Sequence, residues 1–276
     1  MIHFIVPIRH PDTVRDPAHQ MVCLRQLFAS FDNQTSKRWR AIVVTNEGQV
    51  LPDRPDNLVV QTVELPATHH ESGSISKTEM YEAIRADKGA RIAAAMSHIG
   101  PDDQVMIVDD DDLIHRDLVH FVDHHPPERF WYVAEGDFWE NGSNRLGKMD
   151  DIFQNCGSSL IVPRNCYAMF EEPHLGRDYV INELGSHRLI FDRKPIGSGI
   201  WSAIPFRAVI YRVQHSNASL TRFARDTRTG MRAGPFLSRA RALARGVRKG
   251  LRGDPRGGVG VWPLTAKIRN AFFGKD

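Results

Sequence analysis

The segment QVMIVDDDD, residues 104–112, sets four apolar side chains directly against four consecutive carboxylates. A short apolar run of this kind reads as a strand buried on both faces, the type found in parallel sheets covered by helices. Moving outward, Ile2 to Ile8 is a second such run, and Arg40 to Thr45 and Leu58 to Leu65 are two more. Between them, Met21, Leu24, Leu27, Phe28 and Phe31 recur at helical spacing before the turn-forming DNQTSK. A longer helix spans Tyr81 to Ile99, with Ile84, Lys88, Ile92, Ala95 and Ile99 along one side. Strand and helix alternate, so the chain reads as an α/β domain with a mainly parallel sheet and helices on both faces.

Beyond the aspartates, LIHRDLVHFV reads as a helix. Arg129 to Ala134 and Ser158 to Val162 read as strands separated by a Gly- and Asn-rich loop, EGDFWENGSNRLG; Arg177 to Arg188 reads as a helix and Ala208 to Val213 as a last strand.

The 276 residues, 41% of them apolar, suffice for a substantial core and exclude a disordered or disulfide-stapled chain. The longest uncharged stretch, Pro195 to Phe206, is twelve residues with two prolines, too short for a bilayer span. MIHFIVPIRHP has no basic region ahead of its apolar run and reads as a strand, not a signal peptide. Three cysteines without a CxxC pair fit a reduced, cytoplasmic protein with no thiolate zinc cage.

The formal charge of +3 hides an asymmetry. Residues 221–276 carry 14 Lys and Arg against 3 Asp and Glu, leaving 22 against 30 for residues 1–220. Within that basic tail, FLSRARALARGVRKGLRG places Phe236, Leu237, Ala240, Leu243, Val247 and Leu251 on one helical face rimmed by arginines. Such a helix suits an anionic membrane surface better than nucleic acid, although it could also neutralise the acidic body in cis. Val261, Trp262, Leu264, Ile268, Phe272 and Phe273 form a second apolar cluster.

Aspartates packed at Asp109 to Asp112 repel one another, and a divalent cation relieves that repulsion. Mg²⁺ or Mn²⁺ takes oxygen ligands, and magnesium usually binds one or two carboxylates together with phosphate oxygens. A metal-bound diphosphate is the natural partner at the carboxyl end of an α/β strand. Asp112 alone would be explained as a helix N-cap, but four in a row exceed what capping needs.

Strand IVPIRH, a helix ending in Asn33-Gln34-Thr35, strand AIVVTNEG, a helix bearing Lys88 and Arg91, and the hydrophobic strand running into Asp109-Asp110-Asp111-Asp112 resemble the GT-A glycosyltransferases, particularly the family 2 type. The likeness covers residues 2–220 and implies a Rossmann-like nucleotide-binding half, 1–112, and an acceptor half, 113–220. The DxD pattern occurs twice; its D-x-D-D form best matches Asp109, Asp111 and Asp112. The resemblance implies that Asp109 and Asp110 lie near the nucleotide and that Asp111 and Asp112 bind the metal. Pro7, Ile8, Arg9, Asn46 and Glu47 would border the nucleobase. Tyr211-Arg212-Val213-Gln214-His215-Ser216-Asn217-Ala218-Ser219 is similar to a Y-R-x-H-x-x-N-x-S ending of that family, with the histidine one place late, and implies that His215 completes the metal site. An imidazole ligand would favour manganese over magnesium.

Lys88 and Arg91, one helical turn apart, would add positive charge to the diphosphate. For the base that deprotonates an acceptor hydroxyl, the family's acidic pair corresponds to Arg177-Asp178, making Asp178 the candidate, with Glu172 and Asp137 in reserve. Arg177 replaces the first acid of that pair and would weaken a neighbouring base. Cys156-Gly157-Ser158-Ser159 and the rings of Trp131, Phe138 and Trp139 would face the acceptor. These readings describe transfer, with inversion, of a sugar from a nucleotide-diphosphate donor to a glycan or lipid-linked acceptor of the cell envelope, in the cytoplasm or at the inner membrane. Two rivals remain: a nucleotidyltransferase, which would carry a Gly-rich phosphate loop where RHPDTVRDP has no glycine, and a non-catalytic carbohydrate or nucleic-acid binding protein.

Overall fold

A computed structural model describes residues 1–68, 76–140, 142–167, 176–187, 201–213, 215, 217 and 261–274, apart from the side chains of Lys77 and Val261. β1 (Ile2–Pro7) lies inside a seven-stranded sheet. On one side it pairs in parallel with β2 (Trp39–Asn46), which pairs in parallel with β3 (Leu58–Val63); on the other it pairs in parallel with β4 (Gln104–Ile107). The sheet's far half comprises β6 (Phe130–Val133), β9 (Leu160–Pro163) and β10 (Trp201–Ile204), and only β9 opposes its neighbours. The mainly parallel α/β architecture is therefore the one expected from the alternating segments.

Side-chain alternation along β1 divides the core. Phe4 and Val6 face α1 (Pro17–Asp32) through Leu24, Leu27, Phe28 and Phe31, whereas Ile5 faces α2 (Lys77–Met96) through Ile92, Ala95 and Met96. Phe4 stacks on Phe31 at 4.5 Å, with Trp39 tilted against both. Each of these buried rings contributes roughly 2–3 kcal/mol of hydrophobic stabilisation. α1 starts where Asp16 accepts from His19 N at 2.9 Å with Pro17 in the first turn; α2 starts at a capping box between Ser76 and Glu79.

A second sheet runs in the order β12 (Val261–Pro263), β8 (Arg145–Asp150), β7 (Glu135–Glu140), β11 (Val209–Val213), β5 (Leu113–Ile114). Two expectations change here. Leu113 does not open a helix: β5 (Leu113–Ile114) pairs antiparallel with β11 (Val209–Val213), and α3 begins only at Leu118, ending at Asp123. Leu113 and Ile114 enter different apolar clusters, which the alternation of a strand permits. The loop expected at 135–147 is a hairpin, β7 (Glu135–Glu140) and β8 (Arg145–Asp150), with Phe138 opposite Gly147. Both faces of β7 are buried, so polar alternation is absent, and the turn glycine, Gly142 at φ +81°, dominated the pattern.

Residues 261–274, assigned by sequence to the basic tail, are built into the body. β12 (Val261–Pro263) extends the second sheet along β8, and α5 (Ala266–Phe272) follows, capped by Thr265. Phe272 is buried edge-on to His115, while the Asn270 and Ala271 carbonyls accept from Asn33 Nδ2 and Arg116 N, each at 2.8 Å. The amphipathic stretch read at 236–253 lies outside the described residues, as does Glu172. No helix among the described residues is long and apolar enough to cross a membrane.

Candidate functional site

β1 is followed in chain order by β2 on one side, while β4 lies on the other, so the strand order reverses between β1 and β4. Ligands of open α/β sheets bind beyond the carboxyl ends of the strands at such a switch point. Pro7, Ile8 and Arg9 leave β1 there, Asn46 ends β2, and the aspartates leave β4. Val108 N donates to Ile5 O at 2.8 Å, and a turn closed by Asp112 N on Asp109 O at 3.2 Å carries the chain into β5 of the second sheet. The four carboxylates are the bridge between the two sheets.

The four side chains disperse to separate partners. Asp109 receives Lys88 Nζ from α2, and Ser158 Oγ accepts from its backbone amide at 2.8 Å. Burial opposes the charge on Lys88, but Asp109 outweighs it and raises the ammonium pKa. Asp110 accepts from Gln20 Nε2 at 2.9 Å, and burial followed by the charge of Asp111 pushes its pKa up. Asp111 accepts from His215 Nε2 at 2.7 Å. Burial pushes Asp111 upward, yet the bond and charge of His215, then Arg9 and Arg212, hold it below the ordinary range. The His215 ring also lies 4.9 Å from that of His19.

Asp112 departs from the expected metal role. It is fully buried, with Oδ2 accepting from Ser158 Oγ at 2.6 Å and Cys156 Sγ at 3.2 Å, and Oδ1 accepting from Arg212 N at 3.2 Å. Burial, then Asp111 and Asp109, raise its pKa well above that of an ordinary carboxyl. Both oxygens are committed to the interior and none of these bonds caps a helix, so Asp112 holds the turn together and is unsuited to a cation. Asp111 and His215, by contrast, lie side by side.

Other candidates scatter. Ile8 has a wholly buried side chain in the core against α1, so it presents no side chain to a nucleobase; Pro7 and Arg9 are half-buried. Arg91 is fully buried, held by Asp87 at 2.9 and 3.0 Å and by Asn46 Oδ1 at 2.7 Å; Asn46 in turn donates to Leu65 O at 2.7 Å. Arg91 and Asn46 therefore tie α2 to the end of β2, while Lys88 alone of the two basic residues reaches an aspartate of the turn. Asp178 is exposed in α4 (Gly176–Tyr179). Asp137 is buried in β7, 3.6 Å from Arg207, and burial pushes its carboxyl up to about 7. Its charged neighbours are Arg207 and Lys148, not the aspartate turn. Trp131, Phe138 and Trp139 are all buried core rings, which removes them as acceptor platforms.

The sequence reading gave no role to Arg212 or Gln20. Arg212 is 1% exposed, donates to Asp111 O at 3.0 Å, Gln26 Oε1 at 2.6 Å and Cys23 Sγ at 3.3 Å, and lies 4.8 Å over Trp139. An arginine inside the apolar strand VIYRV was the available signal, because such a residue is buried only when paired. Asn217 Oδ1 accepts from the Arg15 and Asp16 amides at 3.2 Å each, fixing the segment after β11 against the start of α1. Gly157 lies so close to the turn that an added Cβ would stand 2.6 Å from Asp109 Oδ2 and 3.1 Å from Lys88 Nζ.

Among the described residues, no three His, Cys, Asp or Glu side chains converge as metal ligands. Asp111 and His215 form a two-member set of carboxylate oxygen and imidazole nitrogen. That set fits a cation which draws its other ligands from phosphate oxygens and water, and it suits manganese.

No family model and no curated protein matches the sequence. Among solved structures, the chain is similar to the 2-C-methyl-D-erythritol 4-phosphate cytidylyltransferase of Francisella tularensis, at 9% identity and a TM-score of 0.37 over 82% of this chain and 98% of that one. It is also similar to the glycosyltransferase GlyE of Streptococcus pneumoniae, at 8% identity and a TM-score of 0.36 over 78% of this chain and 55% of that one.

Proposed function

We propose that the protein is a metal-dependent glycosyltransferase that takes its sugar from a nucleotide-diphosphate donor. One observation carries the reading: an acidic turn at the sheet's switch point has Lys88 on one carboxylate and His215 on another. Carboxylates alone would repel a diphosphate, whereas cations act on this turn from three segments, Lys88 from α2, Arg9 from the loop after β1 and Arg212 from β11. Asp111 and His215 would hold Mn²⁺ or Mg²⁺, which when bound supplies positive charge to the leaving diphosphate. Lys88 adds a second positive charge, and Arg9, whose charge acts on Asp110 and Asp111, adds a third. Ser158 fixes the turn by joining the Asp109 amide to the Asp112 carboxyl, and Arg212 holds the Asp111 carbonyl. Electrostatic preorganisation of this kind acts before the bond breaks. The acceptor is a hydroxyl of a glycan or lipid-linked sugar.

Thermal unfolding with UDP, GDP, CDP and dTDP, each with manganese or with chelator, tests the reading, because a ligand that binds only the folded chain raises its melting temperature. One nucleotide should stabilise, and only with the metal present. Stabilisation by none of the four would reject the proposal. Parallel incubations then separate the rival chemistry: release of nucleoside diphosphate from the matching sugar nucleotide marks a glycosyltransferase, and release of pyrophosphate from the corresponding nucleoside triphosphate supplied with a sugar phosphate marks a nucleotidyltransferase.

A further inference from the structure

The helix α3 turns Leu118, Val119 and Val122 into the core and leaves His120 exposed on its other side, with His124 exposed at its C-terminal cap. Residues four apart on a helix share a face, and these two rings stand 4.2 Å apart, tilted by 44°. The cap fixes how His124 presents its ring. Its Nδ1 lies 2.7 Å from His120 O, and because a carbonyl only accepts, Nδ1 carries a proton and donates it. In the neutral ring Nε2 therefore keeps its lone pair. Metal-bound imidazoles use this arrangement, one ring nitrogen donating to a carbonyl while the other meets the ion. His125 makes the same bond to Phe121 O at 2.7 Å, but its ring lies against Phe121 at 4.4 Å and Trp131 at 4.9 Å. The carboxylates nearest in sequence are engaged elsewhere: Asp123 accepts from Ser36 Oγ at 2.6 Å, and Asp117 accepts from Thr35 Oγ1 at 3.1 Å.

We infer that His120 and His124 form a surface site for a zinc-class divalent cation, one that shares no residue with the acidic turn and stands independently of the glycosyltransferase reading. Imidazole suits zinc, copper and nickel, whereas magnesium and calcium select oxygen ligands, so the pair discriminates between these two groups of ions. Two imidazoles bound at about 2.0–2.1 Å to one ion have ring centres roughly 4.5–5 Å apart, so the observed pair closes on a cation with a small side-chain adjustment. Both protein ligands are nitrogens, and water completes the coordination. Asp111 with His215 is a harder set, because it includes a carboxylate oxygen. The ion also has a mechanical effect. α3 has six residues, a length at which a helix is marginal by itself, and an ion gripping positions 120 and 124 ties its last turn together.

The test is calorimetric titration of the full chain with Zn²⁺ alone, in an Asp111→Asn background that removes the carboxylate–imidazole set. Zinc binding should persist there. Adding His120→Ala should weaken it at least ~10-fold, His124→Ala should do the same, and the two together should weaken it little further, because either change already breaks the pair. His120→Ala is the decisive variant, since the His120 carbonyl and its bond from His124 remain. His125→Ala, which removes a ring held by the same kind of bond but packed on Trp131, should leave zinc affinity unchanged. Urea unfolding in chelator checks that each variant folds, and zinc should raise the unfolding midpoint in the Asp111→Asn parent but not with His120→Ala added. Absence of zinc binding in Asp111→Asn would overturn the site. Unchanged affinity after His120→Ala or His124→Ala would do so too, as would additive losses in the double variant or an equal loss in His125→Ala.

Discussion

Asp111 and Asp112 are neighbours in sequence with opposite fates. Burial works against the charge of both, but His215 and the arginines hold the Asp111 pKa down, whereas burial beside two other carboxylates drives that of Asp112 up. Amide substitution should separate them. Asp112→Asn should leave metal-dependent nucleotide binding within about threefold of wild type, because both oxygens of the native side chain are turned to interior partners and not to the ligand. Asp111→Asn should abolish that dependence, and calorimetric titration of both variants checks the pair. Gly157→Ala is the companion test: its methyl group would displace Asp109 or Lys88, side chains that can move, so the fold should survive while nucleotide-induced stabilisation falls. At this scale the sequence showed the acidic turn, Lys88 and His215, because charge density and motif order are written in the chain. It could not show that Asp112 points inward, since that follows from Ser158, Cys156 and Arg212 converging from distant positions.

Among the elements, α2 runs against the π-helical turn Val180–Leu184 that continues α4, with no room for a side chain at either crossing. Gly89→Ala would drive a methyl group into the Val180 backbone, and Gly185→Ala into that of Arg85. Backbone cannot yield as a side chain can, so each should cost about 1–3 kcal/mol or more in denaturant unfolding, and the two costs should not add, since the variants disturb one interface. Strands β1 to β4 and helices α1 and α2 were legible because their periodicity is long and their faces are apolar. β5 and the β7–β8 hairpin were not: β5 has two residues, and the hairpin is buried on both sides, so neither shows the alternation by which a strand is recognised.

Across the whole molecule, the segment at 261–274 closes the second sheet and packs Phe272 against the loop that follows β5. Arg207 links this closure to the body, lying 3.9 Å over the Trp262 ring and 3.6 Å from Asp137. Phe272→Ala should therefore cost about 3–5 kcal/mol of global stability, measured by urea unfolding. Asp137 gives stability a pH dependence. Its folded pKa of about 7 lies above the unfolded carboxyl value near 3.8, so the folded state retains a proton that the unfolded chain releases. The resulting stability is full below the unfolded value and is lost as pH rises through about 7; Asp137→Asn should remove this component, up to about 4 kcal/mol between pH 4 and pH 8. Composition hid this arrangement, because a basic tail with an apolar end reads the same whether it trails or docks. The most direct measurement of the central claim is calorimetric titration of the full chain with its stabilising nucleoside diphosphate, in manganese and in chelator. The account predicts binding at least tenfold tighter with manganese, equivalent to about 1.4 kcal/mol, and loss of that difference in Asp111→Asn. Equal affinity in metal and chelator, or an unchanged metal effect in Asp111→Asn, would contradict it.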